Sequence, residues 1–488
     1  VKGSLVHAII ASLDEKSRRK FLASRSANKD GEQLSQLFRL LAKQAQYSEA
    51  ELLGGTGQTK RVKNLQIEQL GQELVAFLGE GKPDVLVHQI IATAPYVIEH
   101  RLERQAIELV EWGISVAESS ENYHAVQALW RLAELFPEPR PHFRGMTYEH
   151  ALACAGNLVT YRQLEVRLRQ TPSIPDLEER NAVLQEIESS PLLESPGMAL
   201  SYEARLLYWR IKAICKYLTK NHEGAIAPQT NLVAALAERS ESDLDLGRRW
   251  IRECSTLAVL YGTVGNFNAA KQLWDEIWDF PTSQFILECE KTKQIYPTKI
   301  AAGIDFGDAA FADKTAREVQ RLINDRPELF PPGLLCKALY YCASFYLAVS
   351  RVDEASRTVA KLRIIPRMSF PPVIYSMTKL LEITLEIEQG NYDDAIRLIK
   401  NLRMSKHDRT LAGISEAINL LSGAASFLAD PQNNTKKLTN NVSLRQQLSE
   451  IKGQPVLDFF DFSLWVEAHA RGCLMMDMIQ LQTAPRLR

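Results

Sequence analysis

Phe330-Pro331-Pro332 opens a stretch that returns, forty residues on, as Phe370-Pro371-Pro372. At the same offset Val352-Asp353-Glu354-Ala355 falls on Tyr392-Asp393-Asp394-Ala395, Val359 on Ile399 and Leu362 on Leu402. A register held over that distance marks one supersecondary unit used twice. The unit is helical. Apolar residues recur at helical spacing wherever there is a pattern, and strict alternation over a strand length is hard to find. Arg101 to Ala117, Glu203 to Leu218 and Arg248 to Tyr261 are rich in Leu, Ala, Glu, Arg and Lys and lack interior proline. Short breaks carrying Gly, Asn, Pro or Ser separate such segments, the rhythm of helix-turn-helix hairpins rather than of βαβ units.

A second signal is a pair of small residues twelve apart with a turn between them. Ala258 and Ala270 flank Gly265-Asn266-Phe267; Ala343 and Ala355 flank Ser350-Arg351-Val352; Ala213 and Ala225 flank Lys220-Asn221-His222; Gly113 and Ala125 flank Ser120-Glu121-Asn122. Two antiparallel helices approach closely only where side chains at the crossing are small, and Tyr261 and Tyr346 are placed to fill the adjoining gaps.

This pattern resembles the tetratricopeptide repeat. Residues 254 to 281 carry it most fully, with Cys254, Leu257, Ala258, Tyr261, Gly265, Phe267, Ala270, Trp274, Ile277 and Pro281 in place, and Gly390-Asn391-Tyr392-Asp393-Asp394-Ala395 reads as a second half. Ile383 stands where a small residue is expected, and the spacing of forty or more exceeds the family's 34. The resemblance covers about residues 100 to 405. It implies degenerate units of variable length stacked as an α-α superhelix, with a binding surface made chiefly from the first helix of each pair.

Leu5 to Leu41 also looks familiar. Leu13-Asp14-Glu15, Arg19-Lys20-Phe21-Leu22, Ala27-Asn28-Lys29 and Leu37-Phe38-Arg39-Leu40-Leu41 resemble the head of a group of uncharacterised helical-repeat proteins of Bacteroidetes bacteria, which open with a helix, an Asn-Lys turn and a second helix. That likeness brings no activity with it.

At 488 residues the chain exceeds one ordinary core and suits two domains or one elongated array whose units pack only on their neighbours. Lys and Arg number 58 against 59 Asp and Glu, so no bulk field draws in nucleic acid or an anionic membrane. No apolar run approaches a membrane span. Val1 to Ile10 runs straight into Asp14, Glu15 and Lys16 with no small-residue cleavage site, so we expect no export signal and a cytoplasmic setting. The seven cysteines form no C-x-x-C pair and sit mostly among apolar residues, as small hydrophobes in a reducing compartment would.

Candidate chemistry is sparse. Gly54-Gly55-Thr56-Gly57-Gln58-Thr59-Lys60 has a nucleotide-loop look, but a P-loop has glycine directly before its lysine and a buried strand ahead, so a flexible interhelical loop is expected. Glu99-His100, Glu149-His150 and Glu467-Ala468-His469 lack a second histidine at metal spacing. No nucleophile elbow is present. Lys60-Arg61-Val62-Lys63 and Arg18-Arg19-Lys20 read as solvated helix faces, and Lys361, Arg363 and Arg367 as a helix end. Of Trp112, Trp130, Trp209, Trp250, Trp274, Trp278 and Trp465, about five are expected to pack between helices.

The sequence therefore predicts an all-α chain: an N-terminal helical cap over 1–80, degenerate tetratricopeptide-like hairpins over 81–410, and a C-terminal loop and capping helices over 411–488. Irregular stretches are expected at Gly54 to Thr59, Pro137 to Gly145, Thr171 to Asp176, Pro297 to Asp308 and Asp430 to Gln454, with one closing helix within Val456 to Ile479. The expected role is a non-enzymatic protein-protein interaction scaffold or adaptor, including as a subunit of a larger assembly, with a protein or peptide partner and no cofactor, metal or membrane insertion. The alternative is a regulator coupling the array to nucleic acid through its N-terminal helices, though Ser12 to Leu41 lacks a helix-turn-helix signature.

Overall fold

A computed structural model of the chain describes residues 29–43, 83–99, 103–136, 142–174, 176–240, 243–281, 284–404, 412–430, 441–452 and 454–483, with a few single positions before residue 71. All regular secondary structure among the described residues is helical. Contacts divide the chain into two compact units, Val1–Ile211 and Lys212–Arg488.

The first unit holds α1 (Lys29–Lys43), α2 (Pro83–Glu99), α3 (Glu103–Ser119), α4 (Tyr123–Arg131), α5 (Tyr148–Gln170), α6 (Leu177–Glu188) and the opening turns of α7 (Tyr202–Leu218). Phe21 stacks on Phe38 beside Val6, Ile10, Leu37 and Leu41 in one small core. A larger core joins α2 to α5 through Val87, Ile90, Val110, Ile114, Val126, Leu129 and Cys154. Trp130 donates from Nε1 to the Met146 carbonyl at 2.8 Å, so its polar edge is satisfied while its ring packs edge-on to Phe143.

The second unit begins within α7 and continues through α8 (His222–Ala237), α9 (Leu244–Thr263), α10 (Phe267–Asp279), α11 (Phe285–Asp305), α12 (Ala309–Asp325), α13 (Pro332–Ala348), α14 (Val352–Arg363), α15 (Pro372–Glu388), α16 (Tyr392–Met404), α17 (Ile414–Leu428), α18 (Val442–Ile451), α19 (Phe462–Arg471) and α20 (Met475–Thr483). From α9 to α18 each helix packs on the one directly before it, and α9, α11, α13, α15 and α17 also pack in succession on one another.

One turn joins these hairpins. Glu121, Lys220, Gly265, Gly307, Ser350 and Gly390 all have positive φ, between 53° and 86°. In each case the N–H of that residue bonds to the carbonyl three back and the next N–H to the carbonyl five back, as Gly265 to Gly262 at 2.9 Å and Asn266 to Tyr261 at 2.8 Å. This closure satisfies the last carbonyls of the outgoing helix. The following Asn122, Asn221, Asn266 or Asp308 then accepts from the N–H three residues on, capping the incoming helix. Arg351 makes no such cap. Its guanidinium bridges Asp313 of α12 and Glu354 of α14 and lies 4.8 Å from the Tyr346 ring centre.

Five residues after the left-handed position stand Ala225, Ala270, Ala312, Ala355 and Ala395, each fully buried. Seven residues before it the side chain varies between alanine (Ala213, Ala258, Ala343) and isoleucine (Ile114, Ile300, Ile383). The second helix thus supplies the small residue that permits close approach. The turn at Glu121 places Ile114 and Val126 at these positions, so the sequence pairing of Gly113 with Ala125 is one residue out of register. The forty-residue self-match is exact in the helices: α13 and α15 begin at Pro332 and Pro372, α14 and α16 at Val352 and Tyr392.

Other sequence expectations change. Pro297 to Asp308 is not irregular: α11 runs through a buried Pro297 to Asp305 and forms a hairpin with α12. The proline removes one N–H, and Thr298 bonds from Oγ1 to the Gln294 and Ile295 carbonyls beside it. Asp430 to Gln454 contains α18, and the expected single closing helix is two, broken at Gly472 with φ +65°. The glycine loop at 54–59, Lys60-Arg61-Val62-Lys63, His100 and residues 137–141, 175, 431–440 and 453 of the expected breaks lie outside the described residues.

Candidate functional site

Small residues on the first helices of the second unit leave space that large ones would fill. Ala213 on α7, Ala258 and Gly262 on α9, and Ala301 and Ala302 on α11 line three cavities. The first, about 270 Å³, lies among Ile214 and Tyr217 of α7, Gln229 of α8, Val259 and Leu260 of α9, and Gln294 and Thr298 of α11. The second, about 430 Å³, shares Val259 and Thr298 with it and extends to Lys337 and Tyr341 of α13. A third, about 220 Å³, shares Ala301, Asp305, Tyr341 and Thr483 with the second. The shared walls make one trough across α7, α9, α11 and α13.

The C-terminal helices supply its far wall. Leu457, Asp458, Phe459, Phe460 and Asp461 precede or open α19, while Met475, Ile479 and Thr483 come from α20. Polar contacts hold this segment against the first helices. Gln480 donates from Nε2 to the Gly307 carbonyl at 2.8 Å, Thr483 to the Phe306 carbonyl at 3.4 Å, and Tyr340 to the Phe459 carbonyl at 3.3 Å. Trp465 donates to Glu388 at the end of α15 at 2.6 Å. The apolar faces of both helices, including Phe462, Trp465, Met476 and Ile479, join the main core of this unit.

Polarity changes along the trough. At the first cavity the buried Gln229 donates to both the carbonyl and the carboxylate of Glu253, at 3.0 and 2.9 Å, so its amide is committed and the remaining surface is mostly Ile214, Tyr217, Val259 and Leu260. Tyr217 and Val259 are nearly half exposed, as apolar side chains with an unfilled face. In the middle, Lys337 has no ion-pair partner among the described residues, and burial together with Lys293 lowers its ammonium pKa.

The far end is acidic. Asp305, Asp458 and Asp461 line one cavity, and none has an ion-pair partner among the described residues. Asp461 caps α19 by accepting from the Leu464 N–H at 2.9 Å. Asp305 reaches solvent through the cavities, yet dense protein around it, then Asp458 and Asp461, push its carboxyl up to about 7. Burial also raises Asp458, and burial and then Asp305 push Tyr341 up to about 12. An unneutralised acidic pocket walled by aromatic rings can receive a cation; a nucleophile or metal group is not assembled there. Among the described residues no three of His, Cys, Asp and Glu are grouped to hold a metal ion.

The residues singled out in the sequence mostly lie elsewhere. His150 sits 3.6 Å from the Cys154 sulfur, and His469 stacks on Trp465 with its Nδ1 3.6 Å from Glu388. Arg363 is more than a helix end, since it pairs with Glu382 and Glu386 of α15 at 3.5 and 3.7 Å. Arg19 pairs with Glu15 one turn earlier. Trp250, Trp274 and Trp465 are buried and Trp278 is 47% exposed, on the α10 side of its hairpin. Asp305, Asp458, Asp461, Lys337 and Gln229 carried no sequence signal of their own. Gln229 had an indirect one, since it occupies the position where the other hairpins of this unit have Trp274, Ala316, Val359 and Ile399.

No protein-family model matches this chain, and no curated protein matches it.

Proposed function

We propose that the protein is a non-catalytic binding scaffold built as a tetratricopeptide-like α-α superhelix, which holds a protein or peptide partner along the first helices of its hairpins. The observation that carries this reading is the trough itself: three cavities joined by shared walls, running across four successive first helices and closed on one side by α19 and α20. A small-molecule enzyme concentrates convergent polar groups in one enclosed pocket, whereas here they are spread over several hairpins. An elongated ligand uses such a surface best.

The recurring turn supports the same reading. Six left-handed turns with one hydrogen-bond pattern, four of them capped by Asn or Asp side chains, give hairpins of common geometry. Stacking such hairpins sets their first helices side by side.

The test is affinity capture from native extract with the wild-type chain and with Gly262→Phe. A Cβ at Gly262 meets only Phe306, at 3.7 Å, so a side chain there enters the trough without displacing backbone. A nuclease-resistant protein captured by the wild type and lost with Gly262→Phe is the expected result. A partner captured equally by both, or nucleic acid alone, overturns the proposal.

A further inference from the structure

We infer that the occupant of the trough is an extended peptide segment that sets a lysine or arginine side chain among Asp305, Asp458 and Asp461 and an apolar side chain against Tyr217 and Val259. This rests on the trough being the binding surface and adds the chemistry of what it binds.

Charge complementarity is the first ground. Three carboxylates line one cavity, none is ion-paired among the described residues, and two come from the C-terminal segment while the third comes from α11. Like charges brought together by folding, with no cation to offset them, raise the energy of the ionised state. A guanidinium or ammonium placed among them relieves that repulsion and exchanges charge-assisted hydrogen bonds with the carboxylates. Lys337 borders the middle cavity rather than the acidic one, so it directs an incoming cation past the centre to the far end.

Polarity is the second ground. At the opposite end the exposed faces are those of Tyr217, Val259 and Thr256, and the polar groups are committed: Gln229 donates to Glu253, Ser255 to the Gln294 carbonyl and Thr256 to the Arg252 carbonyl. An apolar side chain suits that end, and a charged one would lose hydration without a partner.

Spacing sets the length. Tyr217 and Val259 stand on α7 and α9 and Asp305 on α11, so the ends are one to two helix spacings apart, roughly 8–20 Å, which an extended chain covers in about three to six residues. The recognised segment is therefore an apolar residue followed or preceded, at that interval, by a basic one.

A phage-displayed library of random nonapeptides, panned against the immobilised full chain, tests both levels. Enrichment of Lys or Arg at a constant interval from an apolar residue is expected. The selected peptides, labelled with fluorescein, should then bind the wild type at least tenfold more tightly than the triple variant Asp305→Asn, Asp458→Asn, Asp461→Asn, with melting temperature as the fold control. Asparagine at 461 keeps the helix cap. Peptides selected without basic enrichment, or binding the triple variant equally, overturn this inference but leave the trough reading standing if Gly262→Phe still abolishes their binding. Failure to select any peptide beyond the number retained by Gly262→Phe overturns both.

Discussion

Gly307 and Gln480 meet so closely that a Cβ on the glycine would lie 2.6 Å from the Gln480 Cγ and 2.9 Å from its backbone nitrogen, while the Gln480 amide donates to the Gly307 carbonyl at 2.8 Å. The left-handed turn of one hairpin is thus also the docking point of α20, which closes the trough. Gly390 has the same backbone conformation, φ +76°, with nothing within 4 Å of a Cβ.

The two glycines separate conformational strain from lost approach. Gly390→Ala should cost about 1 kcal/mol, the penalty of a Cβ at positive φ. Gly307→Ala should cost more, because the added carbon meets backbone that cannot rotate away, and it should speed amide exchange in α20. Urea unfolding and hydrogen exchange measure the two effects. Equal costs with α20 protection unchanged would mean that α20 does not seat on the turn.

Ala355 and Ala395, forty residues apart, are both fully buried at the same step after their turns. Enlarging either to leucine should overpack the crossing of its hairpin at about 1–3 kcal/mol, with similar losses from the two. Ala270→Trp should do at least as much, since Ala270 is also fully buried and lines none of the three cavities. Unfolding midpoints of the single variants check this. A leucine tolerated at one site and not at its partner would separate two hairpins that the sequence treats as copies.

Glu121 is held at φ +54° without being glycine, and its carboxylate accepts from the backbone N–H groups of Tyr202 and Glu203 at the start of α7. An anion on those donors satisfies two groups that a helix start leaves open and sits favourably against its dipole. Glu121→Ala should therefore destabilise by about 0.5–2 kcal/mol, as loss of a cap does. Glu121→Gly should cost less than that, since it removes the cap but relieves the left-handed strain. Thermal melts of the two variants in parallel decide it.

What the sequence made legible was local. The helices, the turns at Gly265 and Gly390 and the buried alanines follow from periodicity and turn chemistry within about twenty residues. The α11–α12 hairpin escaped because Pro297 reads as a breaker and Ile300 stands where a small residue was sought, although Gly307-Asp308 carries the same turn chemistry as Gly265-Asn266. The break expected at Asp430 to Gln454 hid α18 because Leu444, Leu448 and Ile451, its buried face, are separated by polar residues. The acidic cavity was illegible for a different reason. Asp305 and Asp458 lie some 150 residues apart in sequence, and nothing in either neighbourhood encodes that α19 and α20 fold onto α11. Such juxtaposition is set by the tertiary packing of Phe462, Trp465, Met476 and Ile479.

The same juxtaposition fixes how stability responds to pH. Folding raises the Asp305 carboxyl from its ordinary acidic range to about 7, through burial and then the charges of Asp458 and Asp461. Tyr341 and Lys337 of α13 are the other titratable side chains lining the cavities that meet at Asp305. Between about pH 4 and pH 7 the folded chain keeps the Asp305 proton that the unfolded chain has released, so the native state binds more protons and stability falls as pH rises through that window. Above it both states are ionised there and the contribution levels off. Asp305→Asn removes the titration while keeping the shape. Its melting temperature should exceed that of the wild type most at pH 8, and the gap should narrow steadily as the pH falls toward 4. A constant gap across that range would show that folding does not raise the Asp305 carboxyl. In that case the three carboxylates do not repel one another in the folded chain.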